Sequence, residues 1–145
     1  VSIERIAFIY PSLILSGMPV GALQYPNLLV KAEELPCSFS FGVAFGLILS
    51  VEKPYRIEVD IFYDDVSLLQ EDREAISSVT IQAGITQRHD YVSIDNLELM
   101  NVPIKSEGMH KISASLFTGK EISDTKTFLH KQECYFFVSK DWVQK

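Results

Sequence analysis

The sequence predicts an all-β protein, an antiparallel β-sandwich of seven to nine strands with little helix. Three observations predict it. The first is the stretch from Cys37 to Val51. Its odd positions Cys37, Phe39, Phe41, Val43, Phe45, Leu47, Leu49 and Val51 are apolar, and its even positions Ser38, Ser40, Gly42, Ala44, Gly46 and Ser50 are small, with Ile48 the exception. Side chains alternate across a strand, so this period of two puts one greasy face inward and one nearly bare face outward, whereas a helix would scatter the phenylalanines around its circumference. The second is that the same period recurs in 55–63, 76–85 and 110–117. The third is the punctuation of these runs by Gly, Pro and polar turn residues at short spacing. A closed barrel is the alternative architecture.

Taken in order, Ile3 to Tyr10 reads as an imperfectly alternating strand closed by Pro11, with 12–16 a continuation after a bend. Gly17, Pro19, Gly21 and Pro26 make the next stretch an irregular connection, since neither residue type sustains a ladder. Leu28 to Lys31 fits a short strand or one helical turn. At about 3.3 Å per residue the run 37–51 reaches roughly 50 Å, so Gly42 and Gly46 are expected to bend or bulge it. Tyr55, Ile57, Val59, Ile61 and Tyr63 alternate against Arg56, Glu58 and Asp60, and the short turn at 52–54 reads the two runs as a hairpin. The acidic stretch 64–75 is a long loop holding at most a helical turn. Alternation resumes through Val79, Ile81, Ala83 and Ile85, and 91–94 and 97–102 are two short strands parted by Asp95 and Asn96. Ile112, Ala114 and Leu116 face inward. Gly119 suits a positive φ in a tight turn, and 122–129 returns. Cys134 to Val138 is a terminal strand buried on both faces, with Trp142 capping one end of the core.

A chain of 145 residues suits one domain and buries enough surface to need no disulfide or metal staple. The net charge of −6, with 13 Lys and Arg scattered among 19 carboxylates, argues against a phosphate-binding surface and hence against nucleic acid. The apolar segment 6–15 is too short to span a bilayer and is broken by Pro11, so no membrane partner is expected. Cys37 and Cys134 belong to no C-x-x-C pair and sit in apolar runs, which predicts free, buried thiols and a cytoplasmic protein.

The segment 101–121, read N-V-P-I-K-S-E-G-M-H-K-I-S-A-S-L-F-T-G-K-E, resembles the closing hairpin of uncharacterised bacterial immunoglobulin-like sandwich domains. The shared pattern is Pro, Gly, alternating strand, Gly turn, strand. It covers about a seventh of the chain and implies a fold, an immunoglobulin-like or similar β-sandwich; it brings no activity and no functional residue.

Signals for chemistry are sparse. No G-x-S-x-G elbow occurs, and His89 and His110 are expected at the surface, His130 at a sheet edge. Loop carboxylates at 64–65, 71–72 and 90–95 hold calcium in some sandwiches, yet D-x-D spacing is lacking here. Neither C-x-x-C nor H-x-x-x-H supports zinc, and no Gly-rich loop supports a nucleotide. No catalytic residue, metal or cofactor is therefore expected. Any small ligand is expected at the polar connections carrying Asp64, Asp65, Arg88, His89 and Asp90. The bare strip Ser38, Ser40, Gly42, Ala44 and Gly46 is the expected partner-binding surface, unless the 17–35 connection or sheet curvature covers it. The function expected is a non-enzymatic interaction module that docks another protein. A self-assembling structural subunit is the alternative, its partner a copy of itself.

Overall fold

Nine strands and no helix make up the described residues of the computed structural model, which are 3–14, 24–51, 53–69, 77–119 and 127–141. In chain order the strands are β1 (Arg5–Leu13), β2 (Leu29–Lys31), β3 (Cys37–Ser50), β4 (Tyr55–Tyr63), β5 (Val66–Ser67), β6 (Ser77–Ile85), β7 (Asp90–Ile104), β8 (Gly108–Thr118) and β9 (Thr127–Ser139). They form a β-sandwich of two sheets, one ordered β1-β3-β7-β6 and the other β2-β9-β8-β4-β5. Every pair is antiparallel except β2 with β9.

The apolar face of β3 points inward as its period demands. Phe41, Val43 and Phe45 are buried against Ile61, Ile112, Leu116 and Phe136 of the opposite sheet in one core. The Phe41 and Phe136 ring centroids lie 4.8 Å apart across the two sheets. Ile112, Ala114 and Leu116 are all buried, as is Ile61 beneath the alternating face of β4.

Several local expectations are corrected. β3 and β4 form no hairpin: β3 already spends both hydrogen-bonding sides on β1 and β7, so the chain crosses to the other sheet, where β4 pairs with β8. Tyr55 braces that corner. Its hydroxyl accepts from the Ser50 backbone N–H at 2.9 Å and donates to Glu4 at 2.5 Å, a Tyr brace of the kind that recurs at sandwich corners. Lys53 adds an ion pair to Glu4 at 3.1 Å. The two short strands at 91–102 are one strand, β7, because β3 and β6 pair it on both sides straight through Asp95 and Asn96.

Pro11 does not close β1, which runs on to Leu13. As an edge strand it tolerates a missing donor, and the Pro11 carbonyl accepts from Asn27 at 2.9 Å. Gly42 and Gly46 are not bulges. The extra residues sit on neighbouring strands, between Ile6 and Phe8 on β1 and between Leu99 and Val102 on β7, where Asn101 takes φ 54°. The β1 bulge explains its imperfect alternation, since it lets both Ile6 and Ile9 face the core.

The long acidic loop begins instead with a two-residue turn. Asp64 and Asp65 take φ of 51° and 63°, the left-handed pair that a tight hairpin needs, and β5 follows at once. Of the expected continuation 12–16, Ser12 and Leu13 belong to β1 and residue 14 is described; residues 15–16, the Gly17–Gly21 part of the connection, residues 70–76, the strand start at 122–126 and Trp142 lie outside the described residues. β8 and β9 pair antiparallel and Gly119 takes the expected positive φ, 144°, but Thr118 stands opposite Thr127, so residues 119–126 join the strands in place of a tight turn, and the expected strands 122–129 and 134–138 are one strand, β9.

The sheets are fastened along the β1–β9 side by two side chains. His130 Nδ1 accepts from the Ile6 N–H at 3.0 Å, and the Gln132 amide donates to the Ile6 carbonyl at 3.2 Å. These replace the ladder that a closed barrel would supply there.

Candidate functional site

β9 is not buried on both faces. Its even residues Phe136 and Val138 enter the core, while Tyr135 and Phe137 remain 45% and 48% exposed on the outer face of the five-stranded sheet. Register decides what stands beside them. Leu29, Phe137 and Met109 form one cross-strand row over β2, β9 and β8, and Tyr135, Lys111 and Phe62 form the next over β9, β8 and β4. Leu29 and Met109 are 39% and 61% exposed, so the first row is an unbroken apolar strip open to solvent.

Lys111 organises the second row. Its ammonium lies 3.1 Å from Glu133, 4.0 Å from Asp65 and 5.3 Å from the centre of the Phe62 ring. The bond to Glu133 pushes its pKa up, and the nearby charge of Asp65 adds to this. A shallow groove of about 500 Å³ runs between these residues, lined by Phe62, Tyr63, Asp64, Asp65, Met109, Lys111 and Tyr135. The rings and the thioether offer apolar contact, the one ammonium is already neutralised, and Asp65 is almost fully exposed. Such a set can hold an apolar surface that carries positive charge.

The residues singled out by sequence do not gather here, with the exception of Asp64 and Asp65. Arg88, His89 and Asp90 form the β6–β7 turn, organised by Thr86, whose Oγ1 accepts from the backbone N–H groups of Arg88 and Asp90. The His89 carbonyl accepts from Val51, just beyond the end of β3. β4 starts near that turn and runs roughly 27 Å to Tyr63, so the two polar turns lie at opposite ends of the sandwich. Among the described residues no group of three His, Cys, Asp or Glu side chains is placed to hold a metal ion.

On β3, Ser38 is exposed and Ser40 half-buried, its hydroxyl accepting from the Asn101 N–H at 3.1 Å. Gly42, Ala44 and Gly46 are buried. Their cover comes from adjacent strands of the same sheet. Ser12 and Asn96 close over Gly42, and the Phe8 ring lies where a Gly46 side chain would stand. Tyr10 stacks beside Phe8 at 6.2 Å and donates to the Gln24 carbonyl.

The three histidines lie apart. His89 is an exposed turn residue with φ 65°, and His130 clasps Ile6. His110 corrects the surface expectation: it is 1% exposed, inside the core between Tyr63 and Phe136 at 4.8 and 5.0 Å. Its ring follows the inward phase of Ile112 and Ala114, which overrides the polar turn before it. Both cysteines are free and half-buried, Cys37 in one sheet and Cys134 in the other, and desolvation pushes the Cys134 thiol up to about 12.

Sequence reasoning missed Leu29, Phe62, Met109, Lys111, Tyr135 and Phe137 as one surface. The run C-Y-F-F-V reads equally well as a strand buried on both faces; only cross-strand register reveals that its odd residues join Met109 and Leu29.

Compared with known proteins, the chain matches no family model, and neither a curated protein nor a solved structure shows significant similarity to it. Among the described residues no helix is long and apolar enough to cross a membrane.

Proposed function

We propose that this chain is a non-enzymatic protein-interaction module of immunoglobulin-like type, docking another protein on the outer face of its five-stranded sheet. The observation that carries the reading is the exposed row Leu29–Phe137–Met109, extended by Tyr135. Single exposed apolar side chains are ordinary, but three in register with a fourth in the adjoining row of one sheet face form the kind of contiguous patch that marks an interaction surface. Aromatic and Met side chains are also those enriched at the centres of interfaces. The partner's complementary surface is apolar with Lys or Arg at its margin, because Asp64 and Asp65 stand at the end of the groove and the chain carries a net charge of −6. The free cysteines support a reducing compartment, the cytoplasm.

The test is site-specific photocrosslinking in the source cell from positions 109 and 137, with position 58 at the far end of the same sheet as control. One protein should crosslink at the first two positions alone. Phe137→Glu should abolish its binding without moving the melting temperature, and Asp64→Asn/Asp65→Asn should weaken it and flatten its salt dependence. A partner retained by Phe137→Glu/Met109→Glu would end this reading.

A further inference from the structure

Among the described residues, the four-stranded sheet has one blunted edge and one that no strand pairs. At the β1 edge, Pro11 removes a donor, Asn27 bonds the Pro11 carbonyl and the Leu13 N–H, and His130 and Gln132 take both backbone groups of Ile6. In the other sheet the edge strands β2 and β5 span only three and two residues. These are the usual ways in which proteins disarm a sheet edge. β6 differs. It is a nine-residue strand, S-S-V-T-I-Q-A-G-I, without charge or proline, and among the described residues only β7 pairs with it. Its one irregularity is a bulge between Thr80 and Gln82, which leaves paired backbone on either side. Thr80 and Gln82 through Ile85 are exposed, Ile85 by 66%.

We infer that β6 is a self-association edge, pairing antiparallel with β6 of a second copy to give one continuous eight-stranded sheet across a two-fold axis. This surface is separate from the sheet face proposed above and stands on different residues. A second copy is the occupant for two reasons. An uncharged strand meets its own copy without like-charge repulsion, which two chains of net charge −6 would meet over most other surfaces. Antiparallel pairing of identical strands is also self-complementary and closes on itself. The outer edges of the joined sheet are then both β1, already blunted, so association stops at a dimer and does not propagate into a fibre.

The experiment is sedimentation of the full chain from low to high micromolar concentration, with backbone hydrogen exchange read at both extremes. The expected result is a shift toward twice the 16.4 kDa chain mass, with slowed exchange in 77–85 only at high concentration. Gln82→Lys/Gly84→Lys tests the edge without loading the fold, since Gln82 is exposed and a side chain on Gly84 meets nothing within 4 Å. It should keep the melting temperature of the dilute wild type and sediment as a monomer throughout. A wild type that stays monomeric at high concentration, an edge reserved for a foreign strand included, overturns the inference. So does a dimer that the lysine pair leaves intact or that protects residues other than 77–85. Phe137→Glu should leave the dimer unchanged, which keeps this outcome distinct from that of the face-docking test.

Discussion

The ring of Phe8 fills the space above Gly46: a Cβ built on that glycine would lie 2.5 Å from the Phe8 Cε1 atom. The central strand is bare there because its neighbour supplies the side chain for both. Gly46→Val should therefore destabilise the protein by about 1–3 kcal/mol, the usual cost of overpacking. In a Phe8→Ala background the same change should be neutral or stabilising, since Gly in a strand otherwise costs about 0.5–1 kcal/mol in backbone entropy. Thermal melts of the four proteins in that cycle measure the coupling, and simple additivity would refute it.

Ala44, on the same strip, is 1% exposed. Ala44→Arg should force an unpaired charge into packed structure and lower the melting temperature markedly. A stable Ala44→Arg protein would show that the strip is open surface.

The Tyr55 hydroxyl joins Glu4 to the Ser50 backbone at the corner where the chain changes sheets. Burial, then the bond to Glu4, pushes its pKa up to about 12. Tyr55→Phe should cost about 1–3 kcal/mol, because it removes the hydroxyl's bonds to the Ser50 N–H and to the largely buried Glu4, which keeps its ion pair with Lys53. Chemical denaturation gives the value; an unchanged midpoint would mean that water replaces the hydroxyl.

His110 donates through Nδ1 to the Gly108 carbonyl at 3.0 Å, and its buried Nε2 has no partner among the described residues. Desolvation holds its pKa below the ordinary 6.5, with the bond to Gly108 opposing in part. Below pH 6.5 the unfolded chain takes up a proton that the native ring resists, so the His110 contribution to stability is full above that value. It is lost as pH falls toward the depressed native pKa. His110→Phe, which keeps an aromatic ring between Tyr63 and Phe136, should remove most of the fall in stability between pH 7.5 and 5.5. Parallel urea titrations at the two pH values decide it, and an equal fall in both proteins would assign the effect to other groups.

Raised pKa values at Cys37 and Cys134, both caused by desolvation, leave little thiolate at neutral pH. Both thiols should react with a disulfide reagent far more slowly in the native protein than after unfolding without reductant, when two equivalents should be taken up. Failure of the unfolded, unreduced chain to react would reveal a disulfide.

Where apolar and polar residues alternate regularly, the sequence by itself determined which residues face the core. The period of two in 37–51, 55–63 and 110–117 places Phe41, Ile61 and Ile112 inward whichever strands they pair with, because alternation is a property of the single strand. The sandwich class followed from it. Tertiary structure alone decided who neighbours whom. Nothing within 37–63 shows that β3 has both ladder sides occupied and must hand the chain to the other sheet at Tyr55. Likewise Gly46 carries no sign of Phe8, 38 positions earlier in the chain, and the candidate docking row exists only because register sets Leu29, Phe137 and Met109 side by side. Burial phase is written locally in each strand. Pairing is a contest among all the strands for the same hydrogen-bonding edges, and only the folded chain resolves it.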